Sequence, residues 1–362
     1  MLKTGQRRLI VFAITGICTL AAGQNAYAQS SVSLFGILDA SILYTNKSLN
    51  TSTGRNGGSE TSFNDSGQQS TQFGMSGSED LGGGMAATFV LDSGISLANG
   101  TFRNSNGNAF GRLANVGLST GYGTIKAGLQ YSPFAIAQFY TDPRSNANFG
   151  GGVNISAALV GITGQYNSNA ITYMSPEIAG WQASVMFAPG GEAGDFQAGR
   201  QYSGSIKYHY KSLLVTAAYY NGNPGGPEAS AIPPSTISFV GRELGVSYKF
   251  GKLTLKAIFN SYNVQNSFDA YVYGAGLIYA FMPSLIVDAA VYEVRDERNP
   301  DNHTFLTSSS IQYLLSKTTT LYGQLGLVNN HGGMDIGLSI NNALNDPAGK
   351  TFGASVGIRH LF

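Results

Sequence analysis

The segment Val32-Ser33-Leu34-Phe35-Gly36-Ile37-Leu38-Asp39-Ala40-Ser41-Ile42-Leu43-Tyr44 alternates between two kinds of side chain. Apolar Val32, Leu34 and Ile42 fall on one face, whereas polar Ser33 and Asp39 fall on the other. A period of two is typical of a β-strand whose faces meet different surroundings. The same alternation recurs at residues 181–187, 244–250, 253–259, 271–281 and 352–362. The chain is therefore predicted to be all-β.

The spacers between these segments differ in length. About sixteen alternating segments can be marked, many of them roughly 9–12 residues long, which is enough for a tilted strand to cross a bilayer. No amphipathic helix is found. Tight turns lie near residues 211, 251, 283 and 316, whereas long spacers occupy residues 47–70, 131–169, 221–240 and 329–350. Short periplasmic turns and long extracellular loops are typical of a transmembrane antiparallel β-barrel.

The composition agrees with a barrel. Only 11% of the 362 residues are charged, yet the mean hydropathy is −0.02. No run of about 18 apolar residues follows Ala28, which excludes a helical membrane protein. In a barrel the apolar residues that face lipid and the polar residues that face water offset each other, so the mean hydropathy is close to zero.

Several functions are not expected from this sequence. The formal net charge of +1 argues against nucleic acid as a partner, because phosphate binding needs a surplus of basic residues. The single cysteine, Cys18, argues against a disulfide framework and against a cysteine metal site. The four histidines have no metal-binding spacing, and no nucleophile motif or phosphate loop is found. The sequence predicts neither an enzyme nor a cofactor.

Residues Met1–Ala28 are predicted to be a secretory signal peptide. Basic residues precede an apolar stretch over 9–22, and Ala26-Tyr27-Ala28 is a small-x-small cleavage site. The mature chain would start near Gln29 and form one barrel domain over residues 29–362. Because the segment holds three of the 21 basic residues and no acidic one, the mature chain would have 18 basic and 20 acidic residues, a net charge of −2.

Four stretches carry more than an alternating pattern. They read SLFGILDA at 33–40, FGMSGSEDLGGG at 73–84, NSNAITY at 167–173 and VGIRHLF at 356–362. Together they resemble the general porins of Gram-negative bacteria, most closely the β-proteobacterial type. The resemblance extends over the whole mature chain.

This resemblance implies an architecture and a function. It implies a sixteen-stranded barrel that forms a homotrimer in the outer membrane, surrounded by lipid and lipopolysaccharide. Each barrel would be a water-filled channel for passive diffusion of small hydrophilic solutes and ions. The third long loop, here residues 131–169, would fold into the lumen and narrow it. Charges at the narrowest point set ion selectivity in such channels.

The wall opposite that loop is less basic than the resemblance implies. Arg112 is retained at one of the usual basic positions. The other basic positions are occupied by Gln72, Ser76, Leu129 and either Gln165 or Tyr166. We therefore do not expect strong anion selectivity.

Charged residues of the loop and wall are candidates for the pore constriction. The loop contributes Asp142 and Arg144, and Arg112 on the wall is expected to face Asp142. Opposite charges across a pore create a transverse field that orients dipolar solutes. The alternatives are that Arg112 is a structural ion-pair partner and that Asp142 belongs to an ordinary Asp-Pro turn. Further inward candidates by parity are Asp39, Asp92, Lys126 and Arg359.

The loop also carries the aromatic residues Phe134, Phe139, Tyr140 and Phe149. They are expected to anchor the loop to the inner wall. The alternative is that, with Tyr166, they line a slot for a particular solute, which would make the protein a substrate-preferring porin for small aromatic or carboxylated solutes. A non-conducting barrel with an adhesive or enzymatic role is a third class, which no sequence feature favours.

Overall fold

The alternating segments pair into one closed antiparallel sheet. The computed structural model describes residues 31–161, 163–225 and 237–362. Neighbouring strands of the chain hydrogen-bond to each other, and the first strand closes the circle by pairing with the last, so that Asp39 lies opposite Arg359. The predicted signal peptide, Met1–Ala28, lies outside the described residues.

The wall of the barrel is built from long strands that run alternately up and down. These strands are β1 (Ser31–Thr45), β4 (Glu60–Asp65), β5 (Gln72–Gly82), β6 (Met85–Gly94), β7 (Leu113–Thr120), β8 (Gly123–Tyr131), β9 (Tyr166–Met174), β10 (Trp181–Ala188), β11 (Gln201–Tyr210), β12 (Leu213–Gly222), β13 (Phe239–Phe250), β14 (Leu253–Val264), β15 (Asp269–Met282), β16 (Leu285–Asp296), β17 (His303–Leu314), β18 (Thr319–His331) and β21 (Gly349–Leu361). Short strands away from the wall are β2 (Leu49–Asn50), β3 (Arg55–Asn56), β19 (Ile336–Ser339) and β20 (Ala343–Asn345).

One strand of the wall is interrupted. β4 pairs with residues 40–45 of β1, and β5 pairs with residues 31–37 of the same strand edge. β4 and β5 therefore share one position in the circle and are joined by residues 66–71. In the part of the chain that the structure describes, the wall has sixteen strand positions. This confirms the predicted all-β barrel.

The two faces of the wall differ as the alternation predicts. Val32 and Leu34 are 67% and 63% exposed on the outside, whereas Asp39 and Ser41 are buried inside. The last strand repeats the pattern, with Val356 exposed outside. An apolar outer belt is what hydrocarbon requires, and a closed sheet leaves no unpaired backbone edge in it.

The two ends of the barrel also differ as predicted. Turns of two residues lie at 83–84, 121–122, 211–212, 251–252 and 283–284. The connections at the other end are loop 1 (46–59), loop 2 (95–112), loop 3 (132–165), loop 4 (189–200), loop 5 (223–238), loop 6 (265–268), loop 7 (297–302) and loop 8 (332–348). Loop 3 is the longest and lies within the predicted span of 131–169.

Loop 3 contains two short helices, which the search of the sequence for amphipathic helices did not detect. They are α1 (Pro133–Thr141) and α2 (Gly152–Val160). Ser132 caps α1 by accepting a hydrogen bond from the Ala135 amide (3.0 Å), and Pro133 takes a first-turn position where no amide hydrogen is needed. Neither helix has an amphipathic stripe, because each is enclosed inside the barrel. No helix among the described residues is long and apolar enough to span a membrane.

The buried core lies inside the barrel, between loop 3 and one part of the wall. Its large side chains include Phe134, Phe149, Ile155, Tyr220, Phe239, Tyr262, Tyr292, Leu306 and Leu338. The fold thus uses its apolar interior to position one loop, and the rest of the lumen is left polar.

Candidate functional site

Helix α1 is seated on the inner faces of β11 to β14. The Phe134 ring packs against Tyr220, Phe239 and Tyr262, with centroids 6.1–6.5 Å away. Polar contacts fix the helix further along: Gln138 Nε2 donates to Tyr262 Oη (2.7 Å). A buried aromatic cluster with satisfied polar groups resists displacement, because moving the helix would expose both.

Glycines in the wall make room for loop 3. A Cβ at Gly241 would lie 2.8 Å from the Phe134 ring, and one at Gly276 would lie 2.8 Å from the side chain of Pro143. A Cβ at Gly326 would lie 3.0 Å from Phe149. These strands therefore lack inward side chains where the loop rests on them.

Buried charges secure the loop just after α1. Tyr292 Oη donates to Asp142 Oδ1 (2.7 Å), and the Asn146 amide donates to Asp142 Oδ2 (2.7 Å). Arg144 forms an ion pair with Asp288 of β16, and both side chains are buried. Burial lowers the pKa of Arg144 to about 10, which leaves it protonated at neutral pH. Arg144 is therefore neutralised by an ion pair, and the Asp142 carboxylate is solvated by hydrogen bonds from neutral groups.

Helix α2 rests on loop 8. Asn154 Nδ2 donates to the Gly337 carbonyl (3.1 Å), and the Gly150 amide donates to the Leu338 carbonyl (2.8 Å). Phe149 is fully buried beside Leu338. Loop 8 thus folds inward and supports the far end of loop 3.

The opposite side of loop 3 borders an open slot. The slot has a volume of about 340 Å³ and lies between loop 3, loop 2 and the wall around β5 and β7 to β9. Its lining includes Gln72, Arg112, Tyr131, Phe139, Asn146 and Tyr166.

Arg112 is held on the wall side of this slot. Its Nε donates to Asp92 Oδ2 (3.2 Å), its Nη1 to the Asn104 carbonyl (3.3 Å) and its Nη2 to Tyr131 Oη (3.2 Å). Its guanidinium carbon also lies 5.6 Å from the centre of the Tyr166 ring. Only 6% of Arg112 is exposed, so its guanidinium group interacts mainly with these partners.

Sequence comparison identifies the family of this barrel. The family model described as "Gram-negative porin" matches residues 13–333. The chain belongs to the Gram-negative porin family. Outer membrane porin protein 32 of Delftia acidovorans is 27% identical over 367 residues, covering 96% of this chain and 99% of that protein.

Solved structures of outer-membrane proteins have the same fold. The anion-selective porin of Comamonas acidovorans matches with a TM-score of 0.79 at 24% identity, covering 92% of this chain and all of that one. OmpT of Vibrio cholerae matches with a TM-score of 0.65 at 13% identity, covering 92% and 98%. The porin is accordingly an outer-membrane channel for small solutes and not an enzyme.

The predicted constriction residues fall into four groups in the porin. Gln72, Arg112 and Tyr166 line the slot together. Asp142 and Arg144 lie behind it, on the secured side of loop 3. Arg112 and Asp142 therefore have separate partners, Asp92 and Tyr292, and both side chains are buried.

Ser76 and Lys126 lie nearer the short turns. They line a second polar cavity of about 390 Å³ together with Ser33 and Asn115. Among the described residues, Lys126 has no ion-pair partner. Ser76 and Lys126 therefore lie apart from the lining of the slot.

Asp39 holds the interrupted strand together. Its carboxylate accepts hydrogen bonds from the amides of Gly67 (3.1 Å), Gln68 (3.0 Å) and Gln69 (2.8 Å), and from Tyr322 Oη. The side chain is fully buried. Asp39 thus fixes the bend between β4 and β5 rather than meeting passing solute.

Leu129 does not lie on the lumen wall, contrary to the expectation. Cross-strand neighbours share one face, and the row Leu34, Met75, Leu91, Ala114 and Leu129 is continuous. Leu34 faces outward, so Leu129 does too. An irregularity between Gly128 and Gln130 shifts the parity at the end of β8, which places Tyr131 at the slot.

The loop aromatics have different fates. Phe134 and Phe149 anchor the loop, as the sequence predicts for the group. Phe139 instead lines the slot and packs edge-on against Tyr131, with centroids 5.1 Å apart. Tyr140 is 43% exposed, and Lys207 Nζ lies 5.3 Å from its ring centre.

Sequence reasoning missed the contributions of loops 2 and 8. Asn104 and Asn106 of loop 2 and Ile340 of loop 8 line the slot although they lie far from loop 3 in sequence. The sequence does indicate where loop 3 contacts the wall, through the inward glycines of β13, β15 and β18. A glycine within a strand is typical of a place where another part of the chain packs closely against the backbone.

Proposed function

We propose that the slot between loop 3 and the wall is the constriction of a weakly ion-selective diffusion channel. The observation that supports this is the charge balance around the slot. Arg112 is paired with Asp92, and Arg359 lies opposite Asp39. An ion in the slot lies near neutral dipoles and near basic groups that have acidic neighbours. Anions and cations therefore have similar interaction energies there.

This proposal differs from the property named for one relative. The Comamonas acidovorans porin is anion-selective. In this chain Gln72 lies in the slot and Ser76 just below it, both at positions that the family resemblance makes basic. We expect smaller anion preference here, because neutral side chains contribute no attraction for an anion.

The channel is proposed to function as a homotrimer among lipid and lipopolysaccharide. OmpT of Vibrio cholerae, which has the same fold, has a trimer form. The outward face carries aromatic residues near the short turns, including Tyr248, Phe250 and Phe281, and these suit the membrane interface.

Planar-bilayer recording tests the proposal. Purified protein in a tenfold KCl gradient should give conductance in steps of three and a reversal potential close to zero. Absence of channels from folded protein contradicts the function, and a large reversal potential contradicts weak selectivity. Single steps contradict the trimer alone.

Export by the segment Met1–Ala28 stays a prediction. Sequencing of the amino terminus of the protein purified from outer membranes should begin at Gln29. A chain that begins at Met1 would contradict the predicted cleavage.

A second candidate is a porin that prefers small aromatic or carboxylated solutes. The observation that favours it is that Tyr131, Phe139 and Tyr166 all line the slot. Liposome swelling with matched solutes distinguishes it. Rates ordered by size alone would exclude this candidate.

A further inference from the structure

Amide side chains from four separate elements converge on the slot. Gln72 lies on β5, Gln165 just before β9, Asn146 between α1 and α2, and Asn104 in loop 2. The side-chain amides of Gln72, Asn146 and Gln165 make no hydrogen bond with any described residue, and the Nδ2 atom of Asn104 is buried without a partner. Polar groups left free at one place are available to a ligand.

The charges near these amides have other partners. All three guanidinium nitrogens of Arg112 donate hydrogen bonds within the protein. Arg359 Nη1 donates to Gln69 Oε1 (2.9 Å), and Lys256 Nζ donates to Ser145 Oγ (3.0 Å) on the loop side. Arg359 and Lys256 lie close to acidic Asp39 and Asp142 respectively. Because Arg112 is also only 6% exposed, the hydrogen-bonding groups that a solute can reach in the slot are mainly the neutral amides.

Neutral amides match hydroxyl groups best. An amide offers both donors and an acceptor, and a hydroxyl group does the same. A carboxylate only accepts and an ammonium group only donates, so either would leave half of the amide groups unpaired, which is unfavourable. The rings of Tyr131 and Phe139 border the amides and suit the carbon skeleton of a solute.

We propose that the slot is a weak binding site for uncharged, polyhydroxylated solutes such as sugar alcohols and small sugars. The volume of about 340 Å³ is at the lower end of the usual range for small-molecule sites. The amides replace water that the solute sheds at the constriction, and this lowers the barrier to its passage. The inference rests on the proposed function, because it requires the slot to be the constriction.

Liposome swelling with three solutes of similar size tests this inference. Mannitol carries hydroxyl groups, tetraethylene glycol is neutral but consists mostly of ether oxygens, and gluconate adds a carboxylate. Mannitol should enter liposomes that contain the purified full-length protein at least about threefold faster than either of the others, the effect of about one net hydrogen bond. Equal rates, or gluconate as the fastest solute, would overturn the inference.

A double variant locates the effect in the slot. Gln72→Leu with Gln165→Leu should bring the mannitol rate down to that of tetraethylene glycol. Gln182→Leu is the matched control, because Gln182 is an inward amide of β10 that donates to the Ser175 carbonyl (3.3 Å) away from the slot; it should keep the mannitol preference.

Conductance separates the possible failures. Wild-type protein that conducts KCl without preferring mannitol refutes this inference and leaves the proposed function standing. Folded wild-type protein with neither conductance nor swelling refutes both. The wild-type comparison does not depend on the folding of any variant.

Discussion

Loop 3 has two sides that differ in chemistry. On its seated side, Phe134 and the Arg144–Asp288 pair are buried against β11 to β16. On its open side, Asn146 and Phe139 face a slot bordered by amides. The contacts of the seated side fix the position of loop 3, because moving the loop away from the wall would expose apolar rings and unpaired charges. The open side determines which solutes pass through the slot, because only its side chains remain free to contact a solute.

Breaking the seated side should have the largest effect. Arg144→Met leaves Asp288 as a buried carboxylate without its cation, which typically costs about 3–5 kcal/mol. We expect loop 3 to leave its seat and single-channel conductance to rise and become noisier. The sixteen-strand wall should persist, because its backbone hydrogen bonds do not involve the loop.

The matched control removes both charges. Arg144→Met with Asp288→Leu leaves no unpaired charge, so conductance should return towards the wild-type value. Folding is checked by the gel mobility of heated and unheated samples. Unchanged conductance in the folded single variant would mean that this pair does not hold the loop.

Changing the open side should have a moderate effect on ion selectivity. Arg112→Ser leaves the negative charge of Asp92 uncompensated beside the slot, so the reversal potential should move towards cations. A charge about 4–8 Å away in water contributes about 0.5–1 kcal/mol, which is about a two- to fivefold change in permeability ratio. The shift should be largest at low salt, where screening is weakest.

The opposite variant completes this comparison. Asp92→Asn leaves Arg112 as the uncompensated charge, and the reversal potential should move towards anions. If neither variant changes the reversal potential, the Arg112–Asp92 pair does not border the constriction.

We expect pH to change the local stability of loop 8, which supports the far end of loop 3. Burial raises the pKa of Asp346 in loop 8 to about 7, and the charge of nearby Asp335 adds to this. The Asp346 carboxyl group keeps its proton up to a higher pH in the folded loop than in the unfolded loop. The stability of the folded loop therefore falls as the pH rises. Local opening of loop 8 should become about tenfold more favourable between pH 6 and pH 8.

Limited proteolysis of loop 8 at these two pH values measures this opening. Asp346→Asn keeps the size of the side chain but cannot ionise, so its cleavage rate relative to a loop 4 site should not change with pH. Equal pH dependence in wild-type and variant protein would rule out Asp346 as the cause.

The wall could be predicted from the sequence, whereas the site could be predicted only in part. The alternation around Val32 to Tyr44 predicts a strand because each side chain's face depends only on its position along that strand. Gln72 and Tyr166 were assigned to the lumen by the family motifs, and both line the slot. Leu129 was misplaced because an irregularity after Gly128 changes which residues point inward.

The helices of loop 3 and the partners of its charges could not be predicted in the same way. Both α1 and α2 are short, and polar residues such as Gln138 and Asn154 meet polar partners inside the barrel, so the helices lack the apolar stripe by which helices are recognised. The partner of Arg144 lies on β16, and that of Arg112 lies on β6. Such contacts depend on how far strands are staggered around the circle.

The sequence by itself determined the barrel, the direction of each face and the unequal ends, because a strand in a membrane must alternate between lipid and water along its own length. Only the tertiary structure decided that Arg112 is paired with Asp92, that Asp39 holds a bend, and that four amides meet at one slot. These features join residues from distant strands and loops, and their distances are fixed only when the sheet closes and loop 3 takes its seat.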